Sequence, residues 1–317
     1  MKSRLKPHHV PLFATIAVFV LLYVAAGVRY EGFFAPAVFL NFFRDNSFLG
    51  LAAIGMTFVI LSGGIDLSVG ALIAFVSISL ASLITTAGIS PWLAIPLVVL
   101  GGTAFGAAQG ALIAFFAMPP FLITLAGMFL ARGLALVTSM QSVSINDPLY
   151  SALDDFSYEY FPVPALIFLV ALALAMCVAQ RTRFGRNIYA IGGSESSAVL
   201  MGVPVRRTKV AIYALSGLTA AVAGVIYTFY TASGNAKAAE MLELDAIAAV
   251  VIGGTLLSGG VGYVIGTAVG VLILGIIQTA ITYEGTLSSW WTKIAIGLLL
   301  LLFIGLQKLL QVRSPAR

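Results

Sequence analysis

The chain has 317 residues, of which 60% are apolar and 9% charged, and its mean hydropathy is +1.06. Soluble domains carry roughly 25% charged residues, so this composition excludes an ordinary water-soluble globule and predicts an all-α, polytopic membrane protein in one domain over 1–317. The net charge of +5 gives no support to nucleic-acid binding, because the charges sort by side of the membrane.

A crossing needs about 20 residues of helix. The first apolar run, Val10 to Val28, follows Lys2, Arg4 and Lys6 as a secretory signal would. It lacks a small-x-small cleavage site leading into soluble sequence and is read as a retained span. Further apolar segments lie near 47–61, 66–84, 92–115, 121–138, 164–179, 210–230, 246–257, 261–281 and 290–306. The uncharged stretch 246–281 is too long for one crossing and must fold back, with glycines at 259, 260 and 262 marking the bend. The expectation is about ten transmembrane helices with broken or re-entrant Gly-rich segments, the short legs 47–61 and 246–257 being possible half-helices. Cys177 lies in the apolar segment Ala165 to Ala179 and reads as lipid or core packing, not redox chemistry.

Positive charge favours cytoplasmic loops. With the N-terminus inside, Lys2, Arg4, Lys6, Arg181, Arg183, Arg186, Arg206, Arg207, Lys209, Lys308, Arg313 and Arg317 are all cytoplasmic. Both termini are then cytoplasmic, and of the acidic residues only Asp66 and Glu195 stay away from the outer side.

Within the second and third segments stands Leu61 to Gly70, LSGGIDLSVG, which sets Asp66 among glycines and serines. A carboxylate at membrane depth is costly and usually functional. Leu-Ser-Gly-Gly returns at Leu257 to Gly260, 196 positions later. Two Gly-interrupted segments of this kind point to broken helices around a transport path, although small residues recur in any tight hairpin. Ser62, Asp66, Ser68 and Ser258 are therefore candidates for the path or its gate, and Asp66→Asn is expected to lower uptake without lowering the amount of assembled complex. Gly102, Gly106 and Gly110, and again Gly262, Gly266 and Gly270, recur every fourth residue, so that each set lines one helix face and lets a neighbour approach.

The loop from Gln180 to Lys209 is rich in arginine and then reads Gly192-Gly193-Ser194-Glu195. Ser194 is a natural N-cap and Glu195 complements the positive helix end. A helix from Glu195 to Met201 is expected to present Ala198, Val199 and Met201 as an apolar face and to end at Gly202. Such a face suits a partner protein, or a helix resting on the membrane surface.

Leu-Ser-Gly-Gly also occurs in the signature motif of ATP-binding cassette ATPases, but the chain contains no Gly-Lys-Ser or Gly-Lys-Thr to cradle phosphates. Any ATP is bound by another subunit. No metal cluster or nucleophile–base pair stands inside the spans, and His8 and His9 belong to the N-terminal tail, so the chain is read as neither an enzyme nor a cofactor or metal protein. An ion-coupled secondary sugar transporter is the alternative class, for which a lone Asp66 is thin.

The blocks ILSGGIDLSVG at 60–70, ARGLA at 131–135, RFGRNIYAIGGSESSAVLMGV at 183–203 and LDAIAAVVIGGTLLSGGVG at 244–262, in that order, resemble the permease subunits of bacterial ribose-type sugar importers of the ATP-binding cassette (ABC) class. The resemblance covers nearly the whole chain. Within that family GTLSSWWTKIAIG at 285–297, with Gly260-Val261-Gly262 where relatives often carry Gly-Gly-Arg-Gly, is most similar to a permease of a galactofuranose importer.

The resemblance implies an inner-membrane permease that works with a peripheral ABC ATPase, a periplasmic sugar-binding protein and a second permease, a different chain or a second copy, with the heterodimer expected. It implies that 192–202, and so Gly192, Gly193, Ser194, Glu195, Ala198, Met201 and Gly202, couples to the ATPase. Trp290 and Trp291 would stack on a sugar, or form an interfacial belt in the surrounding lipid. Arg132 would receive an acidic lobe of the binding protein, or pair with Asp147.

Overall fold

The structure, a computed structural model, describes residues 10–159, 161–288 and 290–313. Lys2, Arg4, Lys6, His8, His9 and Arg317 lie outside the described residues. Fourteen helices follow in order: α1 (Val10–Arg29), α2 (Pro36–Asp45), α3 (Ser47–Leu61), α4 (Val69–Thr85), α5 (Pro91–Phe115), α6 (Pro120–Thr138), α7 (Pro148–Glu159), α8 (Val163–Arg181), α9 (Arg183–Gly193), α10 (Glu195–Leu200), α11 (Val205–Thr231), α12 (Leu242–Ile252), α13 (Val264–Glu284) and α14 (Trp290–Arg313). A two-residue ladder, β1 (Val143–Ser144) antiparallel to β2 (Ser233–Gly234), is the one sheet among the described residues. The all-helical membrane fold is as the composition predicts.

Each of the ten apolar segments coincides with a helix, but they are not ten equal crossings. Among the described residues seven helices are long and apolar enough to cross a membrane, or eight if α2 and α3, bent by 54° at Asn46, form one broken span. The bend keeps its polar groups satisfied, since Asn46 Nδ2 donates to the Phe42 carbonyl (2.9 Å) and Ser47 Oγ to that of Arg44 (2.7 Å). Helix α4 has 17 residues and α12 only 11. At 1.5 Å per residue α12 is about 16 Å long, short of a hydrocarbon core of about 30 Å.

Short helices survive because longer ones enclose them. Every residue of α3 but Phe48 is buried, as is most of α12, so neither exposes its ends to lipid, where unpaired backbone is untenable. Helix α11 runs through the centre against α3, α4 and α5. Its contact with α5 is backbone on backbone, as the small-residue spacing predicts: a side chain at Gly102 would strike Ala221, one at Gly106 the Tyr213 carbonyl, and one at Gly110 the backbone of Val210. Gly266 and Gly270 of α13 serve α12 likewise, against Gly253 and Ala249. Gly262 departs from that expectation, for it precedes the helix and packs on Thr255.

Candidate functional site: a glycine junction beneath two broken hairpins

The two Leu-Ser-Gly-Gly turns, 196 residues apart, meet. Each ends a short buried helix, α3 in one case and α12 with its extension in the other. Gly63 and Gly259, the third residues of the two copies, both take φ +83°, a left-handed conformation that L side chains adopt only under strain. Gly260 N donates to the Leu61 carbonyl at 2.9 Å, which ties one turn to the other. Ser62 is half-buried and its hydroxyl bonds the Val59 carbonyl of its own helix (2.7 Å), while Ser258 is exposed beside Gly63.

A third glycine pair closes the junction. Gly192, in the last turn of α9, packs so tightly that a Cβ there would strike the Leu61 carbonyl and the Gly260 nitrogen together. A Cβ on Gly260 would in turn meet the backbone of Gly193. Tyr189, one turn earlier, donates from its hydroxyl to the Gly262 carbonyl at 2.9 Å. Burial raises the pKa of that hydroxyl above its ordinary value, so it remains a donor at neutral pH.

Above the first turn lies Asp66, only 3% exposed. Its Oδ1 accepts from the Ser68 backbone nitrogen (2.9 Å) and Ser68 Oγ (2.7 Å), and its Oδ2 accepts from Ser216 Oγ of α11 (2.7 Å). Ser68 Oγ accepts in addition from Gln109 Nε2 of α5 at 3.1 Å. Asp66 thus stands at the N-terminus of α4, where a negative charge is favoured, and holds α4, α5 and α11 together through hydrogen bonds. The Tyr213 hydroxyl of α11 and the Thr255 hydroxyl are buried without a hydrogen-bond partner, the former beside Gly64 and the latter beside Gly262. Sequence reasoning missed Ser216, Gln109, Tyr213 and Tyr189. Gln109 alone carried a signal, as an amide inside an apolar run.

Beyond the junction the chain turns into α10. Ser194 Oγ accepts from the Ser197 nitrogen at 3.3 Å, the cap the sequence predicts. Glu195 pairs with Lys209 at the start of α11 (2.7 Å). The helix ends at Leu200, with Met201 as its cap and Gly202 at φ +78°. The apolar face is not the expected one: Ala198 is fully buried and packs with Ile191 and Val205, whereas Val199, Leu200 and Met201 are 57%, 89% and 69% exposed. One turn of helix gives Ala198 the inward side, and the outward apolar surface falls to the residues after it.

The remaining candidates lie elsewhere. Trp290 and Trp291 begin α14, whose Lys293 pairs with Asp245 in the first turn of α12. They are thus at the opposite end of α12 from the second turn, and the structure separates them from Ser62, Asp66, Ser68 and Ser258. Arg132 of α6 donates from one guanidinium nitrogen to the carbonyls of Ala236 (2.7 Å) and Ala238 (2.9 Å), binding the loop before α12 and not Asp147. Cys177 is exposed on α8. Among the described residues no three His, Cys, Asp or Glu side chains are grouped to hold a metal ion.

Helices long and apolar enough to cross a membrane, two buried broken hairpins and a loop helix with an exposed apolar end make up a polytopic membrane protein. The chain belongs to the family described as "Branched-chain amino acid transport system / permease component", whose pattern matches residues 38–304. It is 51% identical to the inner membrane ABC transporter permease protein YjfF of Escherichia coli K12, over 96% of this chain and 93% of that one. It is 40% identical to the ribose import permease protein RbsC of Bacillus subtilis, over 91% and 90% of the two chains. With the fructose import permease protein FruG of Bifidobacterium longum it shares 38% identity over 94% and 91%. No solved structure matches the chain significantly.

Proposed function

We propose that the chain is the membrane-spanning permease subunit of an ATP-driven monosaccharide importer in a bacterial inner membrane. The observation that carries this reading is full-length likeness to permeases named for ribose and fructose import. The family description names branched-chain amino acids, but relatives near 40% identity over nine-tenths of the chain are named for sugars and are the narrower guide. Galactofuranose is the sugar we assign, from the segment 285–297.

The partners in this reading are a peripheral ATPase, a second and different permease chain, and a periplasmic sugar-binding protein received on the face where Arg132 fixes the loop 233–241. The ATPase receives Val199, Leu200 and Met201. Closure of the ATPase on ATP pushes α10, and α9 transmits the push to both Leu-Ser-Gly-Gly turns through Gly192, Gly193 and Tyr189. Ser62 and Ser258 ride on the turns that then open or close the inner end of the path, while Asp66 and Ser68 hold the first turn to α11. Thr15 near the start of α1 and Gln307 near the end of α14 bond the carbonyls of Ile252 and Val251 at the end of α12, and with the arginine-rich segment 181–209 on that same side the turns face the cytoplasm in this reading.

The class is tested in proteoliposomes containing the permease, its partners and the binding protein. Uptake is expected only with ATP and the ATPase subunit present. Uptake by the permease alone under a proton or sodium gradient would establish a secondary transporter instead.

A further inference from the structure

At the end of the fold opposite the glycine junction, a cavity of about 680 Å³ opens between the first turns of α3, α12 and α14 and the last turns of α11 and α13. That volume lies in the range of small-molecule sites, roughly 300–1,000 Å³, and exceeds the needs of one monosaccharide. Its walls join two kinds of group. Trp290, 71% exposed, and Tyr230, 45% exposed, offer aromatic faces. Asp245, Lys293 and Gln278 offer acceptors and donors around them.

The charges on these walls are already matched. Lys293 Nζ lies 2.6 and 2.8 Å from the two oxygens of Asp245, and Arg44 Nε lies 2.9 Å from Asp45 Oδ1. An anion or a zwitterion would have to break one of these pairs to find a partner. A neutral polyol needs no such exchange: its hydroxyls donate to remaining carboxylate lone pairs and to the Gln278 carbonyl, and accept from the amide. Its C–H face suits an exposed aromatic side chain with an apolar body.

We propose that this cavity is a monosaccharide subsite at the outer mouth of the permease, lined by Asp245, Lys293, Gln278, Trp290 and Tyr230. It rests on the importer reading, which turns α10 to the cytoplasm and this cavity outward. The sugar released by the binding protein is held here, above the starts of α3 and α12, before the turns at their far ends admit it.

The test uses the assembled importer in right-side-out vesicles, with Cys177→Ser and Thr279→Cys in the permease and, in a second preparation, Thr282→Cys on the same wall. Labelling by a membrane-impermeant maleimide is followed with galactofuranose, ribose, galactose or leucine added. At least one probe position is expected to label from outside and to be slowed several-fold by the sugar that the vesicles import, but not by leucine. Trp290→Ala should remove the protection, Trp290→Phe should keep most of it, and Trp92→Ala, at the exposed start of α5 and not on the cavity wall, should not change it. No labelling from outside, or labelling slowed by leucine, by added phospholipid or by none of the sugars in vesicles that import one of them, overturns the proposal. Vesicles that import none of the sugars would remove the importer reading itself, and the subsite with it.

Discussion

Asp66 accepts three hydrogen bonds, from two hydroxyls and a backbone nitrogen, and that shell leaves little for a passing sugar. An amide in its place keeps one acceptor oxygen and brings an N–H₂ group among donors. Hydrogen bonds to a charged group contribute about 1.5–3 kcal/mol, and an unsatisfied buried donor costs about 1–3 kcal/mol. We therefore expect Asp66→Asn to lower the thermal unfolding temperature of the purified complex along with uptake. Scanning fluorimetry beside uptake checks this; an unchanged melting curve with lost uptake would return Asp66 to the path itself. The sequence made Asp66 conspicuous, since a carboxylate in an apolar run needs a reason. Its partners were not legible, because Ser216 lies 150 positions away and serine is unremarkable in a membrane helix.

Among the elements, α9 and α10 form the part that reaches from an exposed surface to the junction. Leu200 is 89% exposed and apolar at a place where Lys209 and Glu195 already pair beside it. Leu200→Glu is expected to release the ATPase subunit from the complex while leaving the permease folded and in the membrane, as co-purification and membrane fractionation would measure. Full retention of the ATPase would refute that docking surface. The cap at Ser194 was readable from residue type, as were the close approaches at Gly102, Gly106 and Gly110, because both follow from short-range spacing. The inward turn of Ala198 was not, since a six-residue helix has too few turns for periodicity to choose a face. Helices α2 and α7 also escaped notice as short amphipathic segments between apolar runs, although Pro36, and Asp147 bonded to the Leu149 nitrogen (2.9 Å), mark their starts.

At the scale of the molecule, α3 and α12 run from a polar cavity at one end to a glycine junction at the other, inside a wall of longer helices. Hydropathy located every apolar helix, because it reports where a chain avoids water. It did not distinguish helices that face lipid from those buried in protein, so only the shortness of 246–257 marked it as a half-helix, and α12 is indeed 11 residues long. Nor could it separate the tryptophans from the serine-rich turns, since relative depth follows from which helix ends meet. The central claim is that this chain carries a sugar inward, and it is tested most directly by uptake of labelled galactofuranose, ribose and galactose in cells lacking this chain alone, with and without its return on a plasmid. Selective and restorable loss of galactofuranose uptake is the expected result. Restorable loss of one of the other sugars would keep the importer and change its cargo, and undiminished uptake of all three would contradict the account.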